Sequence, residues 1–328
     1  MSFIVQHPGM LTLIQDAGRF GQHNIGLTHG GPIDLLAYQW ANRLCGNDKT
    51  PSLQVNNPSH SVLEISIGGL ILEAQVDSKI AITGANMPLS INGQARELWR
   101  SHSVKVSDII ALGYANPSQG CRSYLAVEGG FNIPLIFGSS ATVCREKIGG
   151  LNGGKLQKGD CLPCHSLSHS NGLVKGNNRY LKAQDQPMYS DHVLLRTVPS
   201  YQQQHFSSLQ QRLFYSCEYS VSAHYDRMGY RLAGQTIKAD VQGILSEGIC
   251  HGAVQIPADG QPIVLLNDRQ TIGGYPKIGS VISLDSAKLG QLSQGGKVHF
   301  EAISMETAHN LQHLAASHFQ RCQLVNCH

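Results

Sequence analysis

Short apolar runs fill residues 62–127, where apolar and polar residues alternate and Gly, Asn and Pro separate the runs. Successive side chains on a strand point to opposite faces of a sheet, so this pattern predicts strands and not helices. Turn residues at such regular spacing are typical of a β-sandwich or barrel. The predicted strands are 62–67, 70–72, 80–83, 89–91, 104–106, 109–112 and 123–127.

The length of 328 residues exceeds the size at which one hydrophobic core usually stops growing, and this predicts two domains. Charged residues make up 14% and apolar residues 41%, which indicates a folded, loop-rich chain and excludes a disordered one. Residues 166–190 are poor in apolar side chains and are predicted to be a linker or mobile loop. We therefore expect a mainly β fold with a few short helices, a β-rich domain over 1–165 and a second over 191–328.

Several local elements are predicted from turn and cap residues. Pro8–Gly9 separates two apolar runs, 3–5 and 11–14, which predicts a first hairpin. Asp34 is expected to cap a helix over 35–44, and Gly46 to end it. Further helices are predicted over about 201–214 and after Ser304. Residues 49–60 are interpreted as an insertion tolerated at the surface.

Charge and terminal sequence exclude several classes of protein. The net charge of +3 comes from scattered Lys and Arg without a basic run, so binding to nucleic acid is not expected. No apolar stretch is long enough to span a bilayer, and the first residues lack the pattern of a signal peptide. We therefore expect a cytoplasmic protein without a membrane contact.

The nine cysteines are an odd number, so reduced thiols are expected instead of a disulfide framework. Cys161, Cys164 and His165 match the spacing for covalent haem attachment, but such haems are attached outside the cytoplasm. A zinc site using these residues and His169 is the alternative, although no second cysteine pair supports it. We interpret the spacing as coincidence and predict no metal site.

A stretch near the C-terminus combines two predicted strands, 254–256 and 263–266, with polar residues that follow directly. Residues 267–270, Asn-Asp-Arg-Gln, therefore come where a rigid sheet can direct side chains into a cleft. Gly273–Gly274 lets the backbone turn tightly or approach a ligand. An ordinary hairpin loop with solvated side chains is the alternative.

Arg227 and Arg231 flank Gly229, so they are not expected to lie on one regular helix. Two guanidinium groups beside a glycine suit the bidentate binding of a carboxylate or phosphate. The alternative is structural ion pairing with Asp226 or Asp240.

The glycine-rich run 149–155 almost completes a phosphate-binding P-loop pattern. It fails at Leu156, which has no hydroxyl group for magnesium. A glycine-rich nest that touches phosphate remains open.

Four segments together resemble the family of the 5-oxoprolinase C subunit, also called allophanate hydrolase subunit 2. This family includes half of the carboxyltransferase domain of urea amidolyase. The resemblance covers nearly the whole chain and is carried by 12–21 (TLIQDAGRFG), 31–34 (GPID), 226–232 (DRMGYRL) and 260–276 (GQPIVLLNDRQTIGGYP).

The resemblance implies a cyclophilin-like β-barrel in the C-terminal domain and ATP-dependent opening of 5-oxoproline to L-glutamate. The partners it implies are the A and B subunits of 5-oxoprolinase. It implies a site shared with the B subunit and a chain that is inactive alone. The cofactor it implies is ATP with Mg. No catalytic triad or zinc motif is visible, and the available polar groups suit the binding of an amide better than attack on it. The residues predicted to act in catalysis are Asp268, Arg227 and Arg231, and those predicted to bind substrate are Gln15, Asp16, Arg19, Gln255, Gln261, Gln270, Gly273, Gly274 and Tyr275.

Three other functions stay open at this point. Relatives that act on urea imply transfer of a carboxyl group from carboxybiotin to an amide, with biotin carried by another protein because no Met-Lys-Met motif occurs. Other family members imply a regulatory protein that binds an inhibitor of a histidine kinase. Peptidyl-prolyl isomerase activity is suggested only by analogy of fold.

Overall fold

The computed structural model describes residues 1–47, 60–165 and 177–327. The contacts divide the chain into two compact units, each discontinuous in sequence. Unit 1 comprises Met1–Arg19, Gly30–Met188 and Ser317–His328, and unit 2 comprises Phe20–His29 and Tyr189–Ala316. The division into domains over 1–165 and 191–328 with a linker over 166–190 stays a prediction.

The described residues form many short strands and few helices. The strands are β1 Ser2–Pro8, β2 Leu11–Gln15, β3 Val62–Ser66, β4 Leu70–Ala74, β5 Ser78–Gly84, β6 Leu89–Ile91, β7 Gln94–Arg96, β8 Arg100–Val104, β9 Ile109–Leu112, β10 Arg122–Val127, β11 Cys161–Pro163, β12 Arg179–Tyr180, β13 His192–Pro199, β14 Tyr219–Tyr225, β15 Gly229–Gly234, β16 Glu247–Gly248, β17 Ala253–Gln255, β18 Ile263–Leu265, β19 Ile272–Gly273, β20 Lys277–Val281, β21 Lys297–Ala302 and β22 Val325–Asn326. The α-helices are α1 Leu35–Cys45, α2 Ser208–Ser216, α3 Ser283–Leu289 and α4 Met305–Arg321, and short 3-10 turns lie at His23–Ile25, Pro117–Gln119, Ala183–Asp185 and Tyr201–His205.

Unit 1 contains two sheets. Six strands follow the order β11-β1-β4-β9-β6-β7, and seven follow the order β2-β3-β10-β5-β8-β12-β22. One apolar cluster draws on both sheets, with Val5 and Leu72 from the first and Ile65, Ile82 and Leu125 from the second. Each such fully buried side chain contributes about 1.5–3 kcal/mol by leaving water. The core of unit 1 therefore lies where the two sheets supply apolar side chains to one cluster.

The predicted hairpin of the first two strands is wrong. β1 pairs with β4 and β11, whereas β2 pairs with β3 in the other sheet. Gly9 has a φ of 72°, and a Cβ there would lie 2.5 Å from the carbonyl oxygen of Gly68. The chain thus crosses between sheets at a point where only glycine fits.

The helix predictions had mixed outcomes. Asp34 accepts a hydrogen bond from the Ala37 amide at 3.0 Å, and Gly46 ends α1 in a left-handed conformation, as predicted. Ser304 accepts a hydrogen bond from the Thr307 amide at the start of α4. The helix predicted over 201–214 is instead a 3-10 turn followed by α2, because the side chain of Ser207 begins a new helix there.

Unit 2 is built on a closed barrel with the order β13-β20-β17-β18-β15-β14-β21. β13 and β21 are parallel, and the other neighbours are antiparallel. β16 and β19 form a separate two-stranded sheet. Phe214 stacks on Phe300 within the unit, with ring centroids 4.4 Å apart. The structure confirms the predicted fold class of two β-rich parts with a C-terminal barrel and few helices.

Some predictions fall partly outside the described residues. These are the insertion at 49–60, of which only His60 is described, and residues 166–176 of the linker. Within the described remainder of that linker, β12 pairs with β8 and β22. No helix in the described ranges has the length and apolar character needed to cross a membrane.

Candidate functional site

Two strand pairings in unit 2 bring four of its polar and glycine positions together. Gln255 in β17 lies opposite Lys277 in β20, and Glu247 in β16 lies opposite Gly273 in β19. Lys277 Nζ is 2.5 Å from Glu247 Oε1, which links the two pairings. The barrel and the small sheet therefore meet in a cluster that contains both a cation and an anion.

Two residues of the 3-10 turn at Tyr201–His205 complete this cluster. The Gln202 side chain donates to Glu247 Oε1 at 2.7 Å and accepts from the Lys277 amide at 2.9 Å. The Tyr201 hydroxyl donates to Glu247 Oε2 and accepts from the Gln202 side chain. Glu247 is therefore held by three side chains, and it fixes the ammonium group of Lys277 in one place.

The amide of Gln255 is a buried donor at this site. The residue is 1% exposed, and its Nε2 has no hydrogen-bond partner in the described part of the chain. An unsatisfied buried donor costs about 1–3 kcal/mol, so such groups are rare in proteins. The Gln255 amide is therefore a buried donor that lacks an acceptor among the described residues.

The predicted glycines are explained by close packing next to this amide. A Cβ at Gly273 would lie 2.6 Å from Ile249 Cδ1 and 3.1 Å from Gln255 Nε2. A Cβ at Gly274 would lie 3.0 Å from the Ile244 carbonyl oxygen. Tyr275 follows on the same segment and is 44% exposed.

Opposite charges set the protonation of the cluster. The hydrogen bond with Lys277, and next the one with Tyr201, lowers the pKa of Glu247 below its usual value. The same carboxylate raises the pKa of Tyr201. At neutral pH the cluster thus holds an ionised carboxylate and a neutral phenol.

Arg227 and Asp268, both predicted to be catalytic, are paired with each other. Arg227 Nε lies 3.0 Å from Asp268 Oδ2, and Nη2 lies 2.9 Å from Oδ1. Both residues are 5% exposed, and the Asp268 amide also donates to the Arg227 carbonyl. Asp268 is therefore an ion-pair partner of Arg227, and the pair holds the turn after β18 against the start of β15.

The remaining predicted residues of unit 2 lie nearer its surface. Arg231 forms a half-exposed ion pair with Asp259. The Gln261 side chain accepts from the Gly234 amide at 2.9 Å and supports the turn after β15. Gln270 is partly exposed.

Gln15 and Asp16 belong to unit 1, where both are buried. Gln15 accepts from the Gly31 amide and donates to the Thr142 carbonyl, each at 3.0 Å. Asp16 accepts from the Ser139 hydroxyl and from the Ser140 amide, both at 2.6 Å. These contacts tie the end of β2 to the loop at 139–142.

Arg19 serves the same loop. Its Nε donates to the Ile136 carbonyl at 3.0 Å, and its Nη2 donates to the Ala141 carbonyl at 3.1 Å. The residue is fully buried. The motif at 12–21 thus organises a loop of unit 1, and binding of substrate by its three polar residues stays a prediction.

The glycine-rich run at 149–155 also has a packing explanation. Gly149 has a φ of 75°, and a Cβ there would lie 1.9 Å from the Ala141 carbonyl oxygen. All nine cysteines lie in the described residues, and none of them forms a disulfide there. Among described residues, no three or more His, Cys, Asp or Glu side chains are grouped as a metal site.

Several members of the cluster were not predicted from the sequence. The sequence predicts a regular helix for Tyr201 and Gln202, and Glu247 begins a strand of only two residues. Lys277 directly follows the motif at 260–276 in the sequence. Its position beside Tyr275 and Pro276 could therefore have identified it as a candidate site residue. Only the strand pairings reveal that Glu247 meets Lys277.

Comparisons with known proteins agree with this architecture. A family model for the carboxyltransferase domain, subdomain A and B, matches residues 25–302. The chain is similar to the C subunit of 5-oxoprolinase from Escherichia coli strain K12, with 36% identity over 301 residues that cover 92% of this chain and 91% of that protein. It is also similar to urea amidolyase of Lachancea kluyveri, with 28% identity over 95% of this chain and 17% of that protein.

A solved structure shows the same fold. The crystal structure of K. lactis urea amidolyase superposes with a TM-score of 0.88 at 24% identity, covering 98% of this chain and 20% of that chain. The match of the family model over 25–302 and the identity to the bacterial protein over most of both lengths show the relationship in sequence as well. The chain therefore belongs to the family that unites the C subunit of 5-oxoprolinase with the carboxyltransferase domain, subdomain A and B.

Proposed function

We propose that this chain is the C subunit of an ATP-dependent 5-oxoprolinase, which opens 5-oxoproline to L-glutamate at a site shared with the B subunit. The observation that carries the proposal is the 36% identity to a protein of that name over 92% of the chain. The name of that relative implies further subunits. The A and B subunits are the partners we propose.

The cluster around Lys277 supports a role in binding an amide. A lactam carbonyl is a weak electrophile, and donors aimed at its oxygen stabilise the charge that develops there. Gln255 Nε2 and Lys277 Nζ are the two buried donors, and Glu247 holds the ammonium group in place. Tyr275, on the exposed side, is the residue we propose to cover the bound ring.

ATP, acting with Mg, would supply a phosphoryl group that turns the amide oxygen into a leaving group. The residues of this chain do not form a complete P-loop, and the glycine at 149 is explained by packing. We therefore propose that the nucleotide binds mainly to a partner protein. This chain would then orient the lactam and donate hydrogen bonds to it.

The predicted catalytic residues take supporting roles in this proposal. The fork between Arg227 and Asp268 satisfies both side chains and holds the turn that begins the segment 267–277. Arg231 pairs with Asp259 at the surface, where a partner can reach it. We assign positioning to the first two and a contact with substrate or partner to Arg231.

Carboxyl transfer to urea or another amide is the second candidate. The description of the matching family model and the similarity to urea amidolyase favour it. Donors that polarise a lactam would serve equally on the amide that accepts a carboxyl group. Biotin would then be carried by another protein.

The test is release of glutamate from 5-oxoproline and ATP. This chain is assayed alone, in a pair with a homologue of each partner, and in the full set of three. We expect turnover only with all three, because this chain contributes donors but no nucleophile. Turnover by this chain alone would contradict the shared site, and silence of the full set with transfer from carboxybiotin would favour the second candidate.

A further inference from the structure

A hairpin turn in unit 1 exposes five consecutive residues, Pro134 to Gly138, which we call the apolar tip. Ile136 and Ser139 pair across the turn. The Ile136 amide donates to the Ser139 carbonyl at 2.9 Å, and the Ser139 amide donates to the Ile136 carbonyl at 3.3 Å. The two residues between them, Phe137 and Gly138, have positive φ values of 51° and 77°. Positive φ at both central residues is the mark of a type I′ turn, the tight turn of β-hairpins.

Phe137 occupies a position that suits glycine or asparagine. A residue with a side chain rarely adopts a positive φ, and asparagine tolerates this conformation better than most. Phe137 is also 53% exposed, so about half of the residue stays in contact with water. Strained backbone of this kind is concentrated at functional sites. The stability of this chain therefore does not explain a phenylalanine at this place.

The tip is apolar and carries no charge. Leu135 is 66% exposed and Ile136 is 40% exposed, directly before Phe137. No residue between Phe131 and Val143 has an ionisable side chain. Single exposed apolar residues are ordinary, whereas adjoining ones mark surfaces that bind other proteins. The surface that complements this tip is therefore an apolar pocket without charged groups.

Two buried charged residues hold the base of the tip. Arg19 Nε donates to the Ile136 carbonyl at 3.0 Å, and Asp16 accepts from the Ser139 hydroxyl at 2.6 Å. Arg19 is 0% exposed and Asp16 is 5% exposed. These bonds fix both sides of the turn, so little conformational entropy is lost when a partner binds it. The motif at 12–21 therefore supports the tip from inside unit 1.

The size of the tip limits what can cover it. Leu135, Ile136 and Phe137 together expose on the order of 300 Å², whereas a stable complex covers about 800 Å² on each partner. Contact between the tips of two copies is thus too small for a stable dimer. The tip has instead the size of a central anchor, the few side chains that contribute most of the affinity within a wider interface. Its occupant is a protein with a pocket for it.

We propose that the apolar tip inserts into an apolar pocket of the B subunit. This inference rests on the proposed function, which supplies that partner. A different protein is favoured over a second copy because a relative carries this unit together with other sequence: the matching segment is 17% of urea amidolyase of Lachancea kluyveri. The tip belongs to unit 1, so this contact is additional to the cluster around Lys277 in unit 2.

The experiment measures the affinity of the full chain for a purified homologue of the B subunit by calorimetric titration, without substrate or ATP. We expect Phe137→Asn to weaken binding by about ten-fold or more, because the pocket loses its aromatic ring. Asparagine before Gly138 is a favoured pair for this turn, so the melting temperature of the variant should not fall.

Tyr114→Asn is the matched control, because it removes an aromatic ring that is 59% exposed elsewhere in unit 1. We expect its affinity to stay within about two-fold of wild type. The inference is overturned if Phe137→Asn binds the B homologue like wild type, if both variants lose the same affinity, or if the wild-type chain does not bind that homologue at all.

Two other occupants are tested with the same variant. Self-association of the chain is followed by sedimentation, and membrane binding is followed with phosphatidylcholine vesicles. If Phe137→Asn abolishes either of these and leaves binding to the B homologue unchanged, the tip belongs to a second copy or to a membrane, and the inference is wrong.

The titration also separates this inference from the proposed function. Release of glutamate by the full set, together with unchanged binding of Phe137→Asn, would overturn the inference alone. Binding that depends on Phe137, in a full set that releases no glutamate, would support the inference and contradict the proposed function.

Discussion

The buried side chain of Gln255 destabilises the fold, and we propose that it donates a hydrogen bond to the substrate. Its amide is buried in the barrel, and Nε2 has no partner in the described chain. Gln202, close by, is also buried but has its side-chain amide fully engaged. The side-chain amide of Gln202 is therefore satisfied and that of Gln255 is not, so replacing each by leucine should change stability in opposite directions.

We predict that Gln255→Leu raises the free energy of unfolding by about 1 kcal/mol, since it removes an unsatisfied buried donor. The same change should lower the activity of the assembled enzyme by about 10²-fold, because a donor to the substrate oxygen is lost. Chemical denaturation and the glutamate assay measure the two effects.

Gln202→Leu is the control and should destabilise the protein by about 1–3 kcal/mol, because Glu247 and the Lys277 amide lose partners. Loss of stability in Gln255→Leu, together with full activity, would contradict the assignment of this amide to a ligand.

Individual site residues were only partly accessible from the sequence. Gly273, Gly274, Tyr275 and Gln255 were predicted because their motif ends two strands, and the structure brings this segment to the cluster. Arg227 and Asp268 were also singled out, but no pattern shows that residues 41 positions apart form one fork. A catalytic role for them stays a prediction.

At the scale of elements, one carboxylate joins α3 to β13. Asp285 is fully buried and accepts from the Arg196 amide at 2.9 Å and from its Nε and Nη2 at 2.7 Å. Lys288 is 2.8 Å away on the same helix. Burial by itself raises the pKa of Asp285, but the bonds from Arg196 and Lys288 outweigh it, and the net pKa is lowered.

We predict that Asp285→Asn lowers the free energy of unfolding at pH 7 by about 3 kcal/mol, since it breaks a buried pair. A carboxylate with a lowered folded-state pKa stabilises the fold above its unfolded value of 3.8, and this contribution is lost as the pH falls through the folded value. The difference between variant and wild type should therefore shrink below about pH 4.

Urea denaturation at a series of pH values measures this difference. Glu306→Gln, an exposed change at the start of α4, is the control and should stay within about 0.5 kcal/mol. A difference that does not depend on pH would show that the loss comes from packing and not from charge.

Elements were predictable where the signal is local. α1 was predicted from Asp34 and Gly46, and the structure places both caps as expected. The first two strands were also located, but their pairing was wrong because pairing partners lie about 60 residues further along the chain. The break before α2 depended on Ser207, whose capping role competes with an otherwise helical pattern.

At the scale of the whole molecule, the thiols report on which parts of the chain are accessible. Cys144, Cys161 and Cys250 are exposed, whereas Cys45 is buried and burial raises the pKa of its thiol strongly. Only thiolates react quickly, so exposure and pKa act in the same direction.

We predict that three thiols react rapidly with a disulfide reagent in the native state and all nine react in denaturant. Cys144→Ser should reduce each count by one. Fewer than nine thiols in denaturant without reductant, or a change in mass on reduction, would reveal a disulfide and contradict the prediction.

The interleaved membership of the two units has a consequence for synthesis on the ribosome. Phe20–His29 emerges early but belongs with Tyr189–Ala316, so it must wait for well over a hundred residues before its neighbours exist. Conversely, Arg43 donates to the carbonyls of Phe319 and Cys322, which are made last. Neither unit can complete its fold before nearly the whole chain has been translated, and a clone that starts at residue 191 would lack His29.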